Sequence, residues 1–207
     1  MFTGLVSDVG EVLDVEVRGD LRRVRVASGY DAASIEIGAS IAHAGVCLTV
    51  VEIARVGNRT VHSVDVGAET LDVTNAREWL VGTPLNLERS LRLSDELGGH
   101  MVSGHVDGVA DIVARRDFDG MAHFTLRAPP ELSRFIAQKG SVALNGASLT
   151  VNAVDGDEFD VLLIPHTLAV TSWGGRRVGD KVNIEVDQMA RYAARLLEAR
   201  ERGGSGQ

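Results

Sequence analysis

A chain of 207 residues, 44% hydrophobic and 24% charged, has the composition of a folded protein and the length for two compact units, which argues against disorder. Its net charge of −8 sets 29 acidic residues against 21 Lys and Arg that nowhere cluster strongly, so small molecules are expected as ligands, not nucleic acid or an anionic membrane. Asp8, Glu11, Asp14 and Glu16 argue against a secretory leader, no window approaches 18 uncharged apolar residues, and Cys47, the single cysteine, has no internal partner; the expected location is cytoplasmic.

In chain order, strand signals come first: residues 11–17, 21–27, 45–54, 60–66 and 84–88 are short, rich in Val, Ile and Leu, and punctuated by Gly or Asp. Residues 108–115, 123–127, 147–154, 158–164 and 181–186 answer them in the second half. About six short strands per half with short connections predict an all-β fold: two tandem, similar six-stranded antiparallel β-barrels with a C-terminal α-helix. One short helix is expected in each barrel, announced in the second by Pro129 and Pro130 with Gly140 near its end.

After Asp187, placed to cap, Met189, Ala193, Leu196 and Leu197 form the apolar stripe of an amphipathic helix. Nothing in the first half corresponds to it, so its stripe is expected to meet another subunit; the alternative is that it folds back on a barrel. Residues 203–207 read as a tail. The expected divisions are a first barrel over 1–97, a second over 98–187, and an oligomerisation helix and tail over 188–207.

The two halves are one domain written twice. Ser40-Ile-Ala-His-Ala-Gly-Val-Cys-Leu-Thr-Val50 recurs as Ser141-Val-Ala-Leu-Asn-Gly-Ala-Ser-Leu-Thr-Val151, with six of eleven positions identical. Met1-Phe-Thr-Gly-Leu-Val6 recurs as Met101-Val-Ser-Gly-His-Val106, and two further echoes follow in register. A period near 100 residues is that of a domain, so each copy is expected to bury its own core.

The chain has neither a glycine-rich phosphate loop ending in Gly-Lys-Ser/Thr nor a dinucleotide fingerprint, and its six histidines form no metal-binding spacing. The chemistry is legible where the copies disagree. Leu5 stands opposite His105, Gly38 opposite Lys139, Ala44 opposite Asn145, Cys47 opposite Ser148 and Glu69 opposite His166, while the Gly-x-x-Leu-Thr scaffold and Thr70/Thr167 are shared. Two sites for the same flat ligand, of which only the second supplies a base, a cation and an extra hydroxyl, would look like this. Taken singly, each has a duller reading: His105 as a rim histidine, Lys139 as a favourable charge at a helix C-terminus, Asp187 as a cap.

With Met1-Phe-Thr-Gly4, Ala44-Gly-Val-Cys-Leu-Thr-Val50, Gly98-Gly-His-Met-Val-Ser-Gly-His-Val-Asp-Gly108, Lys139-Gly-Ser-Val-Ala-Leu-Asn-Gly-Ala-Ser-Leu-Thr-Val151 and Ile164-Pro-His-Thr167, the chain resembles the α-chain riboflavin synthases over residues 1 to about 190. The resemblance implies a homotrimer held by the terminal helix. It also implies dismutation of two 6,7-dimethyl-8-ribityllumazine molecules to riboflavin and 5-amino-6-(ribitylamino)uracil, without metal or redox cofactor. Lumazine synthase is admitted as a further partner.

Carried onto matching positions, the resemblance puts Gly4, Leu5, Val6, Ser40, Cys47, Leu48, Thr49, Asp65, Val66, Gly67, Ala68, Glu69 and Thr70 around one ligand. Gly104, Val106, Lys139, Leu149, Leu162, Leu163, Ile164, Pro165, His166 and Thr167 would surround the other. His105, with Ser148 and Thr150, is implied for proton transfer, which suits the side chain that titrates nearest neutrality, and Asp187 for orienting nearby groups. Asn145 departs from the Asp of many relatives, and Ala44 from their Asn. The same fold also occurs in noncatalytic lumazine- or flavin-binding proteins, the alternative reading.

Overall fold

The computed structural model describes residues 1–204, with side chains through Arg200. Twelve strands close into two barrels. In the first, β1 (Asp8–Arg18), β2 (Leu21–Ser28), β3 (Ser40–His43), β4 (Val46–Val56), β5 (Arg59–Val66) and β6 (Pro84–Arg89) run in the order β1-β2-β5-β4-β3-β6. In the second, β7 (Gly108–Phe118), β8 (Met121–Arg127), β9 (Ser141–Leu144), β10 (Ala147–Asp155), β11 (Glu158–Leu163) and β12 (Lys181–Val186) close as β10-β11-β8-β7-β12-β9. All pairings within the barrels are antiparallel.

Alternation fills each barrel from one face of every strand: Val12, Val24, Val26, Ile41, Val64 and Leu85 in the first; Ile112, Phe124, Leu126, Leu144, Phe159 and Ile184 in the second. A short sheet closes only if its long strands bend, and the register slips at Val12/Asp14, Val50/Glu52, Ile112/Ala114 and Val151/Ala153. These four bulges sit at equivalent places in the two copies and curl each sheet onto itself.

The sixth strand of each barrel is the four-residue β3 or β9, too short to show a period of its own. The first barrel carries one short α-helix, as expected, and the second carries two. Residues 130–133 form a single turn, α2 (Pro130–Ser133), and the longer helices are α1 (Ala68–Val73) and α3 (Pro165–Val170), which begin as β5 and β11 end. Lys139 therefore lies outside any helix and takes no benefit from a helix dipole.

Between the barrels, Phe2, Ala42, Val102 and Ala143 form a third apolar cluster. Beside it, Asn86 Nδ2 donates to the Asn145 carbonyl at 2.9 Å, and Asn183 Nδ2 donates to the Ala44 carbonyl at 2.9 Å. Asn145 Oδ1 accepts the Asn183 N–H at 2.8 Å, so the amide at 145 belongs to this seam. Gly45 and Gly146 meet so closely that a Cβ on either would lie 2.8 Å from the other's backbone nitrogen.

Helix α4 (Gln188–Gly204) starts at Asp187, whose Oδ1 accepts the Met189 N–H at 2.8 Å. Its polar side is tied to the second barrel by Arg191–Asp107 at 2.7 Å and Arg134–Glu198 at 3.1 Å. Met189, Leu196 and Leu197 remain 80%, 71% and 61% exposed, so the stripe does not fold back on a barrel. The helix takes in Gly203 and Gly204 of the expected tail; residues 205–207 lie outside the described residues.

Candidate active site

The segment that opens each repeat is anchored on its own barrel and then crosses to the other. Glu88, at the end of β6, accepts the Thr3 N–H at 2.7 Å, the Thr3 hydroxyl at 2.8 Å and the Gly4 N–H at 3.0 Å. Glu185 on β12 holds the Ser103 N–H, the Ser103 hydroxyl and the Gly104 N–H at 2.7, 2.6 and 2.8 Å. Burial pushes both carboxyl pKa values up, against hydrogen bonds that pull them down. Phe2 and Val102 then exchange backbone hydrogen bonds of 2.8 and 3.1 Å.

Beyond that bridge the Ser148 N–H donates to the Gly4 carbonyl and the Cys47 N–H to the Gly104 carbonyl, both at 2.8 Å. Glycine is required at both crossings. Their φ values are +76° and +78°, and a Cβ would lie 2.5 Å from Ser148 Cβ or 2.6 Å from Cys47 Cβ. Val6 accordingly packs on the core of the second barrel and Val106 on that of the first.

This crossing regroups the candidate residues. Gly4, Leu5 and Val6, expected beside Cys47, instead line a cleft of about 260 Å³ with Ala147, Ser148, His166, Thr167, Val170 and Thr171 of the second barrel. Gly104, His105 and Val106, expected beside Ser148, lie along the Cys47 edge of the first. His105 is exposed; its N–H donates to Ser103 Oγ at 3.3 Å.

The imidazole in contact with Ser148 is His100, which sequence reasoning missed: Nδ1 and Ser148 Oγ share a hydrogen bond of 2.6 Å. Gly98 and Gly99 deliver it. A Cβ on Gly99 would lie 2.1 Å from the Thr3 carbonyl oxygen and 2.9 Å from Ser148 Cβ, so only a glycine lets the segment linking the barrels press onto the crossed segment. Burial lowers the His100 pKa, opposed by the Asp187 carboxylate, which favours a neutral ring at pH 7. Asp187 thus both caps α4 and faces this histidine electrostatically.

Lys139 adopts φ +66° with its side chain exposed, where the first copy has Gly38 at φ +92°. A lysine held left-handed at a position glycine fills without strain costs about 1–2 kcal/mol, the kind of strain that persists where a side chain is needed. Thr150 and Thr49 are exposed opposite Ser141 and Ser40. Leu149 is half-buried, Leu162 and Ile164 are exposed, and Pro165, His166 and Thr167 form the first turn of α3. Gly67, Ala68, Glu69 and Thr70 are the matching start of α1.

Not every candidate reaches a surface a ligand can touch. The side chains of Leu48, Val66 and Leu163 are core. Asp65 is committed to Arg23 in a two-point ion pair of 2.8 and 2.9 Å, and that hydrogen bonding holds its carboxyl below the usual range. Among the described residues no group of three or more His, Cys, Asp or Glu is placed to hold a metal.

Comparison with known proteins agrees with this doubled architecture. The lumazine binding domain model matches twice, over residues 3–90 and 103–187. The chain is 56% identical over 199 residues to a riboflavin synthase of Brucella abortus (strain 2308), covering 96% of this chain and 98% of that one. It is 40% identical over 202 residues to that of Mycobacterium tuberculosis (strain ATCC 25618 / H37Rv), covering 96% and 99%. LumP complexed with riboflavin superposes with a TM-score of 0.80 at 25% identity over 90% of this chain and 99% of that one. LumP complexed with 6,7-dimethyl-8-(1'-D-ribityl) lumazine, at 23% identity and a TM-score of 0.78 with the same coverage, shares the fold. With both barrels matched as lumazine binding domains and relatives this close over nearly its whole length, the chain belongs to the riboflavin synthase family.

Proposed function

We propose that this protein is a riboflavin synthase, acting at the last step of riboflavin biosynthesis. It moves a four-carbon unit from one 6,7-dimethyl-8-ribityllumazine to a second, and the products are riboflavin and 5-amino-6-(D-ribitylamino)uracil. Atoms and electrons balance between the two lumazines, so the reaction draws on no outside oxidant or reductant. One lumazine must lose a proton from its 7-methyl group while the other accepts a nucleophile, and unequal surroundings assign the two roles.

The observation that carries the reading is the 2.6 Å contact of His100 with Ser148, which lines the second-barrel cleft, in a chain 56% identical to a riboflavin synthase. A neutral imidazole against a hydroxyl can relay a proton to or from a ligand beside Ser148. The first copy has Cys47 in place of Ser148. Lys139 and Thr150 are available to ligand oxygens, and His105, on the Cys47 edge, is the base nearest a ligand of the first barrel. Two flat substrates held in line gain much of their rate from orientation alone.

We further propose that the exposed stripe of α4 closes a homotrimer in which a first barrel works with the second barrel of a neighbouring subunit, in the cytoplasm. Incubating the purified protein with the lumazine and no cofactor, and following riboflavin by absorbance, tests the activity. Binding of lumazine without riboflavin formation would instead support a noncatalytic flavin-binding protein.

A further inference from the structure

A second cleft, of about 340 Å³, is lined by both repeats and shares no lining residue with the cleft at Ser148. Asn75, Glu78, Trp79 and Thr83 line it from the first repeat, Arg176 and Lys181 from the second. Its charges are unevenly satisfied. Glu78 pairs with Lys181 at 3.8 Å, and Asp180 spends Oδ2 on the Arg177 N–H at 2.9 Å. Arg176 is left over. The residue is half-buried; its Nε is closed off from solvent without a hydrogen-bond partner, and its side chain makes no hydrogen bond or ion pair with the described residues.

That arrangement is costly unless something completes it. The backbone fixes Arg176 in place, its N–H donating to the Trp173 carbonyl at 3.1 Å and its carbonyl accepting from Arg115 Nη1, so the side chain is rooted beside the cleft. Burial lowers the Arg176 pKa, offset by the more distant charges of Asp180 and Glu78, so the cation is partly desolvated without being neutralised by contact. A guanidinium Nε shut off from water needs an acceptor, and the group's planar fork matches a carboxylate or a phosphate.

We propose that the interbarrel cleft binds a small oxyanion, the phosphate or carboxylate group of a compact ligand, through the Arg176 guanidinium. Thr83 can add its hydroxyl proton, since its oxygen already accepts the Leu80 N–H at 2.9 Å. The volume suits a ligand of metabolite size, at the low end of small-molecule sites. Because both repeats line the cleft, the bound anion bridges them and stabilises their mutual placement by mass action.

Trp79 lines the cleft and reports on it, while the chain's other tryptophan, Trp173, is buried in the core of the second barrel. The test is intrinsic fluorescence during titration with orthophosphate in one arm and succinate in the other, against sodium chloride at matched ionic strength. A saturable change beyond that of chloride is expected in at least one arm, and the preferred arm identifies phosphate or carboxylate. In Arg176→Gln the midpoint should rise about tenfold or more, as loss of a charge-assisted hydrogen bond requires. Ser148→Ala should leave it unchanged, and Arg176→Gln should still form riboflavin. If Arg176→Gln does not fold, Arg176→Lys, which keeps the charge without the fork, should raise the midpoint several-fold. No saturable response in either arm, or an unchanged midpoint in the folded Arg176 variant, overturns the proposal.

Discussion

Replacing Gly4 by alanine tests the crossing of the repeats, because its consequences fall on the barrel to which Gly4 does not belong. At φ +76° an alanine pays about 1–2 kcal/mol for a left-handed backbone. Its Cβ would lie 2.5 Å from Ser148 Cβ, about 1 Å inside the carbon–carbon contact distance, so the segment must withdraw at an overpacking cost of about 1–3 kcal/mol. Withdrawal also weakens the Ser148 N–H bond to the Gly4 carbonyl, worth about 1 kcal/mol. Gly4→Ala should therefore destabilise by about 3–6 kcal/mol. Gly19→Ala, at φ +61° with nothing within 4 Å of the new Cβ, should lose only the backbone part. Denaturant unfolding of both variants measures the difference, and riboflavin formation should fall in Gly4→Ala alone. Amide chemical shifts locate the damage: the resonances around Ser148 should move and those around Cys47 should not. Equal losses for the two variants, or shifts centred on Cys47, would refute the crossed arrangement.

The remaining expectations follow from particular contacts. His100→Gln keeps a hydrogen-bonding side chain but removes the base, so turnover should fall about 10²–10⁴-fold with ligand binding retained; turnover at the wild-type rate removes His100 from the chemistry. Lys139→Gly should stabilise the fold by about 1 kcal/mol by relieving left-handed strain, while turnover drops, and a variant that gains stability with full activity would show that the lysine has no role. Inside the first barrel His43 Nδ1 donates to the Ile41 carbonyl at 3.0 Å, which leaves its Nε2 to accept from His62 Nε2 at 2.8 Å and strands the buried His62 Nδ1. Burial lowers both pKa values, that of His62 to about 4, so the unfolded chain binds the extra protons. Stability should be complete above about pH 6.5 and fall toward pH 4, with His62 contributing on the order of 3 kcal/mol. A His62→Phe variant with an unflattened pH profile would contradict this. Deleting residues 188–207 should dissolve the proposed oligomer, and sedimentation at an unchanged mass would exclude a role for α4 in assembly.

The duplication, the two barrels and the terminal helix were legible because their signals are local: a repeat can be aligned, a strand alternates, a capped stripe recurs every turn. The mismatches that marked Ser148 and Lys139 were legible for the same reason, since each had a counterpart to be compared with. His100 had none. It lies ahead of the Met101–Val106 echo, outside the stretches that align, so comparison of the copies did not reach it. The β-strands differ likewise: β6 and β12 announce themselves over six residues, β3 and β9 over four do not.

What the amino-acid sequence determined by itself is the inventory, two similar barrels and the side chains that distinguish them. Which segment completes which barrel was decided only in three dimensions. Gly4 and Gly104 are equivalent, as are Cys47 and Ser148, so either glycine carbonyl could accept from either partner with the same local geometry. Nothing in a duplicated sequence prefers one pairing. The preference arises because Phe2 and Val102 pair across the seam between the barrels, with Glu88 and Glu185 fixing each segment's root, and the chain beyond that bridge then reaches the opposite barrel. The orientation of α4 follows from long-range contacts as well: Arg191–Asp107 and Arg134–Glu198 turn its polar side to the second barrel and its apolar stripe outward, a choice that amphipathicity alone leaves open.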